Sequence, residues 1–132
     1  MSERALASRV VQILKSLDAV RVENPCHPGT PDVNYAEGWL ELKQVDKWPV
    51  RDETPVRVEH FTPQQKIWLS RRIRKGGRAH VLIQVERDYI LLRGDVASEL
   101  LGEATKKDLL AASIFHCSSR ELPEKLINAL IQ

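Results

Sequence analysis

The chain has 132 residues, 20 Lys and Arg against 18 Asp and Glu for a net charge of +2, and 42% hydrophobic residues. That length fits one domain around a single core, and the modest Gly and Pro content excludes fibrous and disordered classes. No apolar run approaches the roughly 18 residues of a membrane span. Ser2–Asp18 lacks the features of a signal peptide, and Cys26 and Cys117 are too few for a disulfide scaffold. The expectation is a single-domain cytoplasmic protein, 1–132, with no membrane partner.

Leu6, Val10, Ile13, Leu14 and Leu17 form one apolar helical stripe behind an N-cap at Ser2. Ala19–Glu23 alternates and predicts a short strand. Asn24–Pro31 holds three prolines and a glycine and must be a loop. Asp32–Tyr35 and Trp39–Val45 read as an antiparallel hairpin around Ala36-Glu37-Gly38. Asp46–Thr54 is a connecting loop, and Val56–His60 alternates as a short outer strand. Thr62 and Pro63 start a helix as N-cap and first helical residue, and Gly76-Gly77 stops it. Ala79–Val85 and Tyr89–Arg93 predict a second hairpin. A short helix near Asp95–Leu101, a strand at Ser113–His116 and a closing amphipathic helix over Leu122–Ile131 complete the chain. This order predicts an α/β fold, a mixed sheet flanked by helices.

Charge is unevenly spread. Between Glu59 and Glu86 there is no acidic residue, while Lys66, Arg71, Arg72, Arg74, Lys75 and Arg78 are basic. The other 14 basic residues face all 18 acidic ones elsewhere. A basic stripe on an acidic body suits a polyanion, although cations at a helix C-terminus also suit its dipole. No pattern of base-reading residues stands out, so recognition of DNA shape or branching is expected over sequence.

The stretch from Pro31 to Lys43 carries the chemistry. In a strand, Glu41 and Lys43 share one face and Leu40 and Leu42 the other. Hairpin pairing brings Asp32 near the same pair, so two carboxylates and an ammonium converge at one end of a sheet. Such hard oxygen donors suit Mg²⁺ or Mn²⁺, and the lysine can orient the attacking water. Together they are a minimal kit for phosphodiester hydrolysis.

Pro31-Asp32 with Glu41-Leu42-Lys43 resembles the signature of the PD-(D/E)xK nuclease superfamily. His27–Tyr35 and Gly38–Lys43 resemble its phage-type VRR-NUC and Holliday-junction-resolvase-like branch. Thr62–Leu69, ending in Gly76-Gly77, is similar to the helix that follows the catalytic hairpin there. The resemblance spans about residues 20–93. It implies a restriction-endonuclease-like fold and a divalent-metal-dependent endonuclease, a phage or prophage protein in a bacterial host that cuts branched or structured DNA, as a homodimer. It makes Asp32 and Glu41 metal ligands, Lys43 the catalytic lysine and Gln65 the glutamine of the following helix. Gln65 lies on that helix's apolar side, where its amide needs either the hairpin site or backbone as a partner. Many members of the superfamily also carry an acidic residue on the first helix. Only Glu3 offers itself there, and Glu23, beside the Pro-Gly loop, is the better third carboxylate. His27 is expected to contact phosphate or the site's edge, and Lys66, Arg71, Arg72, Arg74, Lys75 and Arg78 to contact the DNA backbone.

Two rival readings remain open. One is a non-catalytic nucleic-acid-binding protein on a nuclease fold, for which the Asp32, Glu41 and Lys43 set would be unnecessary. The other is a zinc module built from Cys26-His27 and His116-Cys117, whose spacing is unlike that of known zinc modules. His60 and His80 are expected to be structural.

Overall fold

The alternation of the strands and the capping of the helices produce a three-layer arrangement. The computed structural model describes residues 2–24 and 26–132. Pro25, within the expected loop, lies outside them. Strands β1 (Val20–Arg21), β2 (Val33–Tyr35), β3 (Gly38–Val45), β4 (Ala79–Val85), β5 (Asp88–Arg93) and β6 (Phe115–Ser118) form one six-stranded sheet in chain order. Neighbours are antiparallel except β3 and β4, which run parallel and are joined through a helix. The predicted mixed sheet flanked by helices is the fold observed.

The helices are α1 (Glu3–Ile13), α2 (Pro63–Arg74), α3 (Gly94–Leu100), α4 (Lys106–Ala112) and α5 (Leu122–Leu130). Ser2 Oγ caps α1 by accepting the Ala5 N–H at 3.1 Å. α1 and α5 bury Leu6, Val10, Leu122, Leu126 and Leu130 against Leu40, Leu42 and Leu82 on one face of the sheet. α2, α3 and α4 bury Trp68, Leu69, Ala97 and Leu109 against Val81 and Ile83 on the other. With both faces covered, all seven residues of β4 are buried, which is why its sequence is nearly continuously apolar.

Three local expectations are corrected. Val56–His60 forms no strand. Only Val56 N–H finds a sheet-like partner, the Ala104 carbonyl at 2.9 Å, before the chain turns at His60 with φ 62°. The last strand lies two residues later than expected, at Phe115–Ser118. α4 has no counterpart among the expected elements, although Thr105 caps it through the Asp108 N–H.

Candidate active site

β2 and β3 pair with Val33 opposite Leu40, and continuing that register sets Asp32 opposite Glu41. The Leu42 N–H lies beyond the last backbone pair of this ladder, and Asp32 Oδ2 accepts it at 2.9 Å. The Asp32 carbonyl accepts the Val22 N–H at 2.8 Å. Asp32 therefore closes the end of the hairpin with one carboxylate oxygen, close enough to Glu41 for its charge to be felt there.

Glu41 and Lys43 are 1% and 2% exposed, and Asp32 is the partly exposed member of the set. Lys43 Nζ stands 3.2 Å from Glu41 Oε2. Its aligned hydrogen bond goes elsewhere, to the His60 carbonyl at 3.0 Å, and it lies 5.6 Å from the centre of the Phe61 ring. The left-handed turn at His60 occurs at the residue whose carbonyl receives this bond. Glu41 Oε2 is buried and accepts no hydrogen bond. Burial, and next the charge of Asp32, push the Glu41 carboxyl up from 4.5 to about 8, while Lys43 pulls it down. Without a further cation the site thus disfavours the charged form of Glu41.

An orphaned buried carboxylate oxygen next to a second carboxylate is the donor set a hard divalent cation fits. Asp32 and Glu41 could hold such an ion. Among the described residues no group of three or more Asp, Glu, His or Cys side chains gathers to hold a metal. Two carboxylates can serve Mg²⁺, an ion that usually keeps several of its waters.

The other expected residues are dispersed by the fold. Glu23 is exposed just beyond β1, and among the described residues it gathers in no group of three ligands with Asp32 and Glu41. Glu3 starts α1, which packs on the Leu40 and Leu42 face, opposite Glu41. Gln65 is taken by its own helix. Its Oε1 accepts the Thr62 N–H at 3.0 Å while its N–H donates to Thr62 Oγ1, a capping box. Backbone therefore accounts for its amide oxygen, and no hydrogen bond joins it to Asp32 or Glu41.

The basic run divides. Arg71 and Arg72 line a cleft of about 380 Å³ with His27, Thr30, Trp39 and Trp68. Lys66 and Arg74 line a groove against α3 with Ile67, Ser98 and Glu99, and Lys66 also lies 5.5 Å from the Phe61 ring centre. Lys75 caps the exposed end of α2. Arg78 is turned away from these, its Nη2 donating to the Leu130 carbonyl at 3.2 Å, so it serves the end of α5 rather than a phosphate. His27 is exposed and its carbonyl accepts from both Thr30 N and Thr30 Oγ1, which shapes the loop beside Asp32.

Gly29 explains the tightness of that loop. It has φ 92°, and a Cβ there would meet the Gln64 carbonyl oxygen at 2.5 Å. The loop is thereby pressed onto the first turn of α2. The two cysteines are free: Cys26 is exposed in this loop, while Cys117 is buried on β6 at the far edge of the sheet. His116 Nε2 lies 3.3 Å from Asp88. The four residues of the zinc reading are therefore not brought together.

Sequence reasoning missed Trp39 and Trp68, whose ring centres lie 5.2 Å apart in an edge-to-face contact. The signal was present. Trp39 lies two residues before Glu41, hence on the same strand face, and Trp68 lies on the inner side of α2. It also missed the His60 carbonyl, which no local pattern could supply. Comparisons with protein-family models, curated proteins and solved structures return no match to this chain.

Proposed function

We propose that this protein is a divalent-metal-dependent DNA endonuclease with a restriction-endonuclease-like fold, acting on branched or otherwise structured DNA. The observation that carries the reading is the convergence of a partly exposed Asp32 with the buried Glu41 and Lys43 on one face of a hairpin, with Glu41 Oε2 left without a hydrogen bond. Burying a carboxylate and an ammonium together costs stability that an apolar pair would not, and a binding surface needs no such arrangement. The expected cofactor is Mg²⁺ or Mn²⁺, held by Asp32 and Glu41.

When bound, the ion would acidify a water and offset charge on the scissile phosphate. Lys43 contributes a charge fixed by the His60 carbonyl and Phe61, placed to orient that water and to stabilise the phosphate oxygens. Asp32 keeps the hairpin closed, and its partial exposure gives substrate a route to an otherwise enclosed pair. Arg71, Arg72 and Lys66 supply cations for the backbone of the strand. The test is incubation of the protein with labelled junction, flap, single-stranded and duplex DNAs in Mg²⁺ or Mn²⁺ and in chelator. Metal-dependent cleavage of a branched substrate is the expected result, and no cleavage of any substrate in either metal overturns the reading.

A further inference from the structure

The cleft lined by Arg71 and Arg72 holds a cation against two tryptophan rings. The Arg72 guanidinium carbon stands 4.3 Å over the Trp68 ring and 5.6 Å from the centre of Trp39. Trp68 is almost completely buried, whereas Arg72 is exposed. The guanidinium therefore lies against the indole while the side chain that carries it stays open to solvent. Among the described residues it makes no ion pair with a carboxylate. Among those same residues the cleft lining includes Arg71 and His27 and no acidic side chain.

Position links this cleft to the hydrolytic pair. Trp39 precedes Glu41 by two residues on β3, about 7 Å along the strand. Thr30 likewise precedes Asp32 by two residues. Trp39 thus sets the cleft about one nucleotide from Glu41 along β3, and Thr30 brings the loop that leads into Asp32 to the same cleft. Flat cationic and aromatic surfaces stack with bases, and a base in a duplex cannot leave its stack to reach one without unpairing.

We propose that this cleft takes one unpaired nucleotide of the DNA strand bound at Asp32 and Glu41, its base stacked on the outer face of Arg72 and its phosphate held by Arg71. The proposal rests on the nuclease reading for which strand is bound. It narrows the substrate to DNA with an unpaired nucleotide next to the cut, such as a flap or the arm of an open junction.

Binding is measured in chelator, so that cleavage plays no part, using a Trp48→Phe background in which only Trp39 and Trp68 fluoresce. The probes are a single-stranded thymidine ten-mer, the same backbone without bases, and a blunt duplex with the same number of phosphates. The ten-mer is expected to change the tryptophan emission and to bind at least about fivefold tighter than the abasic strand. Arg72→Lys keeps the charge and loses the plane, so it should abolish that preference while leaving the salt-dependent affinity for the abasic strand. Equal binding of the ten-mer and the abasic strand, or an undiminished preference in Arg72→Lys, overturns the proposal. Base-dependent binding by a protein that cuts no DNA with either metal overturns the nuclease reading and leaves the cleft as an unpaired-nucleotide site. Metal-dependent cleavage with no base preference does the reverse.

Discussion

Residues 40 to 43 of β3 divide between two environments that differ by one step of register. Leu40 and Leu42 point into the layer of α1 and α5, where their neighbours are Leu6, Val10, Leu82 and Leu126. Glu41 and Lys43 point into the layer of α2 and are as deeply buried, yet both are ionisable and one acceptor lacks a hydrogen bond. Around Leu40 and Leu42 the first face is filled by apolar contact. The second leaves a carboxylate acceptor that a cation could complete, so the same degree of burial stabilises the fold on one side and, on the proposed reading, serves chemistry on the other.

Substitutions on the two faces should therefore separate stability from activity. The largest effect is expected from Lys43→Met, which keeps the aliphatic stem beside Phe61 and removes the charge. Cleavage should fall by orders of magnitude, while thermal unfolding changes less, because burial already disfavours charge on Glu41. Turnover equal to that of the unaltered protein would remove Lys43 from the mechanism.

On the opposite face, Leu42→Ala should cost about 2–5 kcal/mol of stability, read from chemical denaturation. Whatever variant remains folded should still cut DNA. A loss of cleavage in fully folded protein would mean that the two faces are coupled through the strand.

The pH dependence distinguishes the faces as well. Glu41 has a folded-state value raised from 4.5 to about 8, so the folded form holds a proton that the unfolded chain gives up. Its contribution is intact below pH 4.5 and is lost as pH rises toward 8, on the order of a few kcal/mol. Glu41→Gln should flatten this loss in metal-free protein. Added Mg²⁺ should stabilise the unaltered protein more at pH 8 than at pH 6, since it competes with that proton. On the other face, His80 is pushed down from 6.5 to about 4, chiefly by burial. Its contribution is present above pH 6.5 and is lost as pH falls toward 4, and His80→Gln should remove that acid-side loss. Stability curves of opposite slope in the two variants would support the assignment. Identical curves would contradict it.

The smallest effect concerns the basic residues of α2. Arg71→Ala, Arg72→Ala and Arg74→Ala should each reduce the slope of log binding constant against log salt by about 0.9 on duplex DNA for every phosphate the arginine neutralises. Arg78→Ala should leave the slope unchanged, because its guanidinium is bound to the Leu130 carbonyl. A slope that changes with Arg78 and not with Arg71 would reverse the assignment of the charged surface.

Much of this arrangement is legible in local chemistry. Alternation in β3 separates Leu40 and Leu42 from Glu41 and Lys43, hairpin pairing brings Asp32 to them, and Thr62, Pro63 and Gly76 mark the ends of α2. What local chemistry does not decide is the choice among partners. Thr62-x-x-Gln65 is itself a capping signature, and it takes the amide oxygen that the site could have used. Arg78 belongs to the basic run in sequence, but it follows the end of α2 and meets the end of α5. The bond from Lys43 to the His60 carbonyl joins a strand to an irregular loop across 17 positions, and no periodicity encodes it. Glu23 lies in the right neighbourhood along the chain and remains at the surface.

The central claim, that the buried hairpin is a metal-dependent hydrolytic site rather than a binding surface, is tested most directly by Asp32→Asn. The substitution removes one negative charge and nearly preserves shape. Cleavage in Mg²⁺ should fall by orders of magnitude, while binding of the same DNA in chelator should be equal or tighter, because a charge that repels phosphate has gone. Asp32→Asn protein that cuts as fast as the unaltered chain would contradict the account.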